Sequence, residues 1–144
     1  MTQSSYKPSN AFVGASWMAF AAGACGFVIG LWNAQMQLNE KGFYITVLAY
    51  GLFAAISLQK CVRDRLEGIA VSGLYYGLAW LSVMLASSLL CIGLWNATLA
   101  YSEKGFYVMA FLLAGFGAIA VQKNVRDLAS YQSSAPSRSD IQPK

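Results

Sequence analysis

The sequence predicts an all-α protein, an integral membrane four-helix bundle made of two tandem two-helix hairpin repeats. Three observations lead there. Of 144 residues, 57% are apolar and only 11% are charged, against about 25% charged in a soluble domain, so there are too few charges to cover a water-facing surface. Four runs long enough to cross a bilayer hold no charged residue. And residues 29–44, IGLWNAQMQLNEKGFY, return as residues 92–107, IGLWNATLAYSEKGFY, 63 positions later.

Residues 1–11 are polar, with Lys7 and Pro8, and read as a short cytoplasmic arm. Residues 12–32 carry no charge over 21 positions, and a spanning helix needs about 20. A cleaved leader is the competing reading of this run. The run continues past the small residues around Ala22 and Ala24, and it has an internal counterpart in which Trp17 aligns with Trp80.

A short polar connector, residues 33–41, leads to a second run over 43–58. Its exit, residues 59–68 (QKCVRDRLEG), is the most charged part of the chain, and Gly68 marks the helix end. Residues 74–95 form the third run, 96–104 the second connector, and 106–121 the fourth run. Residues 122–127, QKNVRD, repeat the basic exit. The chain then divides into a first repeat at 12–67, a second at 68–128, and a Ser/Pro/Gln-rich tail at 129–144 with the composition of disorder.

The repeat aligns without gaps. Of the 48 pairs from Trp17/Trp80 to Asp64/Asp127, 20 are identical, several times what chance gives at ordinary composition. Each unit crosses the membrane an even number of times, so both insert the same way up. They form a parallel repeat about an axis along the membrane normal.

Lys and Arg resist translocation. The arm, the middle loop and the C-terminal segment hold Lys7, Lys60, Arg63, Arg65, Lys123, Arg126, Arg138 and Lys144, whereas the connectors hold only Lys41 and Lys104. This predicts a multi-pass protein with both termini in the cytoplasm and both connectors facing outward, in a bacterium the periplasm.

The connectors hold the candidate site: Trp32, Asn33, Glu40, Lys41, Trp95, Asn96, Glu103 and Lys104. Each has a plainer structural reading. An indole suits the headgroup level, and Asn closes helix C-termini. Asn39 and Ser102 are candidate N-caps, which puts Glu40 and Glu103 in a first turn, favourable to the helix dipole. Lys41 and Lys104 can screen them. Gly42 and Gly105 offer a place of close helix approach, and Phe43, Tyr44, Phe106 and Tyr107 complete an aromatic belt. The functional reading is an Asn–Trp ligand site, or a Glu40/Glu103 pair that takes a cation or proton.

Lys60/Asp64 and Lys123/Asp127 are four apart and share a helix face. Beside an anionic leaflet this basic end attracts lipid. Gly26 and Gly30, with Ala22 before them, are spaced for close helix packing. Ala110, Ala114 and Ala118 offer the same spacing, for use within the bundle or in a homo-oligomer. Leu89 stands where Gly26 would recur, so the two units cannot pack identically.

Much chemistry is excluded. There is no histidine, and the three cysteines, Cys25, Cys61 and Cys91, form neither a disulfide framework nor a metal-ligand pattern. No span holds Asp, Glu, Lys, Arg or His, the usual marks of proton relays and ion-coupled sites. No phosphate loop or nucleophile–base pair is present. No cofactor, metal or catalytic residue is expected, and no nucleic-acid partner, since the +4 charge sits at membrane-flanking positions.

The doubled order GLWNA…EKGFY…QKxVRD over residues 12–128 resembles the YiaA/YiaB inner-membrane proteins, built from the YiaAB two-helix domain. The resemblance implies a bacterial inner-membrane protein and brings no catalytic residue or ligand. The expectation is therefore a non-enzymatic structural or interaction protein of the envelope, its protein partner unknown. The alternative is a subunit of an oligomeric passive channel or small transporter.

Overall fold

A computed structural model describes residues 7–134. These form four helices, α1 (Asn10–Asn33), α2 (Leu38–Leu66), α3 (Gly73–Asn96) and α4 (Tyr101–Ser134). All four are long and apolar enough to cross a membrane. The arm at 1–6 and the tail at 135–144 lie outside the described residues.

The ends are set by local chemistry. The Ser9 hydroxyl accepts from the Phe12 N–H at 3.3 Å, and the Ser72 hydroxyl from that of Tyr75 at 3.2 Å, which starts α1 and α3. α2 ends at Gly68, whose φ of +75° is open to glycine at little steric cost. There the Ile69 N–H donates to the Asp64 carbonyl at 2.8 Å and the Gly68 N–H to that of Arg65 at 3.2 Å, the double closure of a Schellman motif.

The second repeat has Tyr131 where Gly68 stands in the first. Helix formers such as Leu128 and Ala129 precede it, and α4 runs on to Ser134. The irregular tail expected from residue 129 therefore begins no earlier than 135.

Packing exchanges the partners. α1 packs along α4, α2 along α3, and α2 and α4 meet in the middle, giving the order α3–α2–α4–α1. The two helices of one repeat diverge from their connector; α1 touches α2 only slightly, and α3 and α4 share no packed face. The gap between α3 and α4 holds about 350 Å³, floored by Leu94 and Val108. Each repeat is thus a hairpin in chain path, and its helices find their packing partners in the other repeat.

Both inter-repeat pairs are antiparallel and in equivalent register. Gly23 meets Ala114 in one and Ala86 meets Gly51 in the other; each pair of positions sums to 137. At Gly23 a Cβ would fall on the Ala114 backbone, and at Gly117 on that of Phe20. Close approach of small residues is how helices associate in lipid. The Ala110/Ala114/Ala118 face is used this way, all three being buried. Its partner glycine is Gly23 rather than Gly26, where an added Cβ would meet only the tip of Phe106 at an ordinary 3.7 Å.

The core lies toward the connector end, around Phe27, Leu31, Tyr44, Leu90, Leu94 and Tyr107. Tyr44 and Tyr107 stack with centroids 6.4 Å apart and planes 17° apart, and each is 4% exposed. They occupy the core between α2 and α4, not the interfacial belt expected of them, because each ring is drawn inward against its own repeat-mate. Phe43 and Phe106 remain at the periphery. At the opposite end Asn124 donates to the Ser16 hydroxyl at 3.0 Å, a buried tie between α4 and α1, and the Lys7 ammonium lies 6.0 Å from the Tyr131 ring.

Candidate functional site

The connectors are built from backbone groups that each helix end leaves unpaired. At the end of α1, Asn33 donates its side-chain amide to the Ile29 carbonyl at 2.9 Å; at the end of α3, Asn96 does the same to Ile92 at 2.8 Å. At the start of α2, a Glu40 carboxylate oxygen accepts from the Gln37 N–H at 2.8 Å, and Glu103 accepts from the Ala100 N–H at 2.8 Å. The helices therefore begin earlier than Asn39 and Ser102 suggest, since the glutamate supplies the cap from within the first turn.

The lysines complete the set. Lys41 donates to the Trp32 carbonyl at 2.9 Å and Lys104 to the Trp95 carbonyl at 3.3 Å. They turn to the end of the preceding helix and form no ion pair with the adjacent glutamates. One connector thus uses Asn, Glu and Lys to close two helix ends, and this explains why Trp-Asn and Glu-Lys recur together. Trp32 and Trp95 are 80% and 84% exposed, as an interfacial indole should be.

Exchanged pairing brings residues of different repeats together. A cleft of about 250 Å³ holds Glu40, Phe43 and Tyr44 from α2 opposite Gly93 and Asn96 from α3. Its counterpart, about 370 Å³, holds Glu103, Phe106 and Tyr107 opposite Gly30 and Asn33. Every one of these residues has its equivalent 63 positions away in the other cleft. A Cβ at Gly93 would lie 2.7 Å from the Phe43 ring, and one at Gly30 would lie 2.8 Å from that of Phe106. The glycine of GLWN is the seat for the aromatic ring of the other repeat's GFY.

By contrast, Gly42 and Gly105 face open space. The close approach expected there occurs instead on α1 and α3, at Gly30 and Gly93. Glu40 and Glu103 line separate clefts and do not form one acidic pair. What the two clefts share is an Asn amide (Asn96 or Asn33) and a Glu carboxylate, both already bonded to backbone, over an aromatic floor; Asn39 and Thr98 also line the first, and Ser102 the second.

Sequence reasoning gathers the eight residues at the connector end of the bundle but misses Gly30, Gly93, Tyr44 and Tyr107 as cleft-forming groups. Their signal is the joint recurrence of GLWN and GFY. It can be interpreted only when the two motifs are known to meet across repeats.

At the other end the expected pairs form: Lys60–Asp64 and Lys123–Asp127, each at 2.7 Å. Arg63 reaches Glu67 at 2.9 Å, and the Arg65 guanidinium lies over the Tyr76 ring at 4.2 Å.

A family model described as the yiaA/B two helix domain matches residues 12–64 and again 75–127. The chain is 54% identical over 124 residues to the inner membrane protein YiaA of Escherichia coli (strain K12), covering 86% of this chain and 84% of that one. It is 45% identical over 58 residues to the uncharacterized membrane protein YubF of Bacillus subtilis (strain 168), covering 40% of this chain and 67% of that one. No solved structure matches it.

Proposed function

The chain belongs to the family built from the yiaA/B two-helix domain, and from that premise we propose that it works without enzymatic chemistry, as a structural and interaction protein of the bacterial envelope. It is a multi-pass inner-membrane protein, with four apolar helices and a relative bearing that description. The observation that carries the proposal is the use made of the recurrent polar side chains. Asn33, Glu40 and Lys41, and their equivalents Asn96, Glu103 and Lys104, are each engaged with backbone at a helix end. Their recurrence is accounted for by the fold, and what they expose beside them is a contact surface. Trp32, Leu38, Trp95 and Tyr101 stand 80–91% exposed around the clefts.

Photo-crosslinking from positions 32 and 95 in intact membranes tests this. A discrete adduct, to another protein or to a second copy of the chain, is the expected result. Lipid-only adducts at both positions, together with no phenotype on deletion, would refute it.

Both termini are assigned to the cytoplasm on the distribution of Lys and Arg. Reporter fusions at residues 37 and 70 check this, with a cytoplasmic signal at 37 overturning it. A passive channel or small transporter would have to be assembled between copies, because the core cluster of one chain is apolar apart from its tyrosine hydroxyls. Native mass in detergent addresses that alternative, and a lone monomer removes it.

A further inference from the structure

The basic end of the bundle holds a groove that the connectors do not explain. It lies where α2, α3 and α4 meet, encloses about 540 Å³, and is walled by apolar side chains including Leu58, Trp80, Val83 and Ile119. Arg63 and Arg126, equivalent positions of the two repeats, both line it.

Their hydrogen bonding is incomplete. Lys123, also at the groove, is taken by Asp127. Arg63 is paired with Glu67 through Nε at 2.9 Å and more loosely with Asp64 through Nη2 at 3.8 Å, while its Nη1 is buried with no partner. Arg126 forms no ion pair among the described residues, and its Nη1 is likewise buried and unpartnered. A buried N–H of a charged group without an acceptor is costly. Gln59 lines the same groove with its Oε1 buried and unpaired. A half-turn of its carboxamide would present a further N–H donor.

We propose that this groove binds an anionic phospholipid from the leaflet that meets the basic end. Its phosphodiester sits on Arg126 and Arg63, and an acyl chain lies along Leu58, Trp80, Val83 and Ile119. The chemistry matches at both ends. The guanidinium fork fits two phosphate oxygens and remains charged, and basic pockets between membrane helices are a known form of headgroup site. The groove itself is lined by three cations, Arg63, Lys123 and Arg126, and by no acid, and the segments 59–68 and 122–127 that flank it hold five cations against three acids, which selects an anionic over a zwitterionic lipid. The apolar walls require a chain as well as a headgroup, so free phosphate does not satisfy the site.

The test uses the full chain in detergent, offered equal amounts of phosphatidylglycerol and phosphatidylcholine, with bound lipid read by native mass spectrometry. The expected result is a preference for phosphatidylglycerol of about fivefold or more. Arg126→Gln should bring it close to parity. Arg65→Gln removes the same charge outside the groove, against Tyr76, and should preserve the preference. If Arg126→Gln does not accumulate, Arg126→Lys keeps the charge but loses the fork, and at least half the preference should disappear. Equal retention of the two lipids, an equal fall in the Arg126 and Arg65 variants, an unchanged preference in Arg126→Lys, or displacement of the lipid by millimolar inorganic phosphate would each overturn the proposal.

Discussion

The ammonium of Lys41 reaches back across the first connector to the carbonyl oxygen of Trp32, 2.9 Å away and nine residues earlier. The same bond ties Lys104 to Trp95 at 3.3 Å. A lysine in the first turn of one helix thereby closes the last turn of the helix before it. Cations are favourable at that end of the helix dipole.

Lys41→Met should therefore lower stability by about 0.5–1 kcal/mol, the scale of a charge-assisted bond at a solvent-accessible end. Lys104→Met should cost less, given its longer bond. The two belong to separate connectors, so their effects should add. Unfolding titrations in mixed micelles measure this; two variants indistinguishable from the parent would show that the clasp contributes nothing.

The close contact of α1 with α4 is at Gly23, where any Cβ meets the Ala114 backbone. Gly23→Leu should force the helices apart and cost about 2 kcal/mol or more. Gly42→Ala adds its methyl to open space within α2 and should be neutral or stabilise by up to about 1 kcal/mol through helix propensity. Thermal denaturation of the two purified variants ranks them, and the reverse ranking would contradict the packing described.

Tyr44 and Tyr107 stack between the repeats. Tyr44→Ala should cost about 3–5 kcal/mol through the cavity it leaves, and Tyr44→Phe far less. The double-mutant cycle with Tyr107→Ala should give a coupling of about 0.5–1.5 kcal/mol, as for other aromatic pairs. Strict additivity would mean that the rings do not interact.

Because each helix packs on one from the other repeat, a chain cut in the loop between α2 and α3 should reassemble. Fragments 1–69 and 70–144, co-expressed with a tag on one, should purify together from membranes. Independent monomeric fragments with native-like protease resistance would instead indicate self-sufficient hairpins.

Much of this was legible in the residues. The four spans follow from charge-free runs, the repeat from a gapless offset, the end of α2 from Gly68, and the Lys60–Asp64 and Lys123–Asp127 pairs from their spacing. Each depends only on neighbours within about one helical turn or on composition. The caps were harder. Glu40 and Glu103 displaced Asn39 and Ser102 because a carboxylate in the first turn can serve the N–H three residues before it, and nothing in a single sequence ranks those two solutions.

The tertiary structure alone decided which helices are partners. In lipid the hydrocarbon tails are as apolar as leucine, so no hydrophobic force sorts one helix face from another. The spans are apolar on every side, and their periodicity does not mark the buried face. Pairing is settled instead by where backbones can approach, at Gly23 on Ala114 and at Gly30 and Gly93 beneath the other repeat's aromatics. Those are distances between residues tens of positions apart in the chain. They moved Tyr44 and Tyr107 from the membrane interface into the core, and they turned one expected outer site into two clefts related by the repeat.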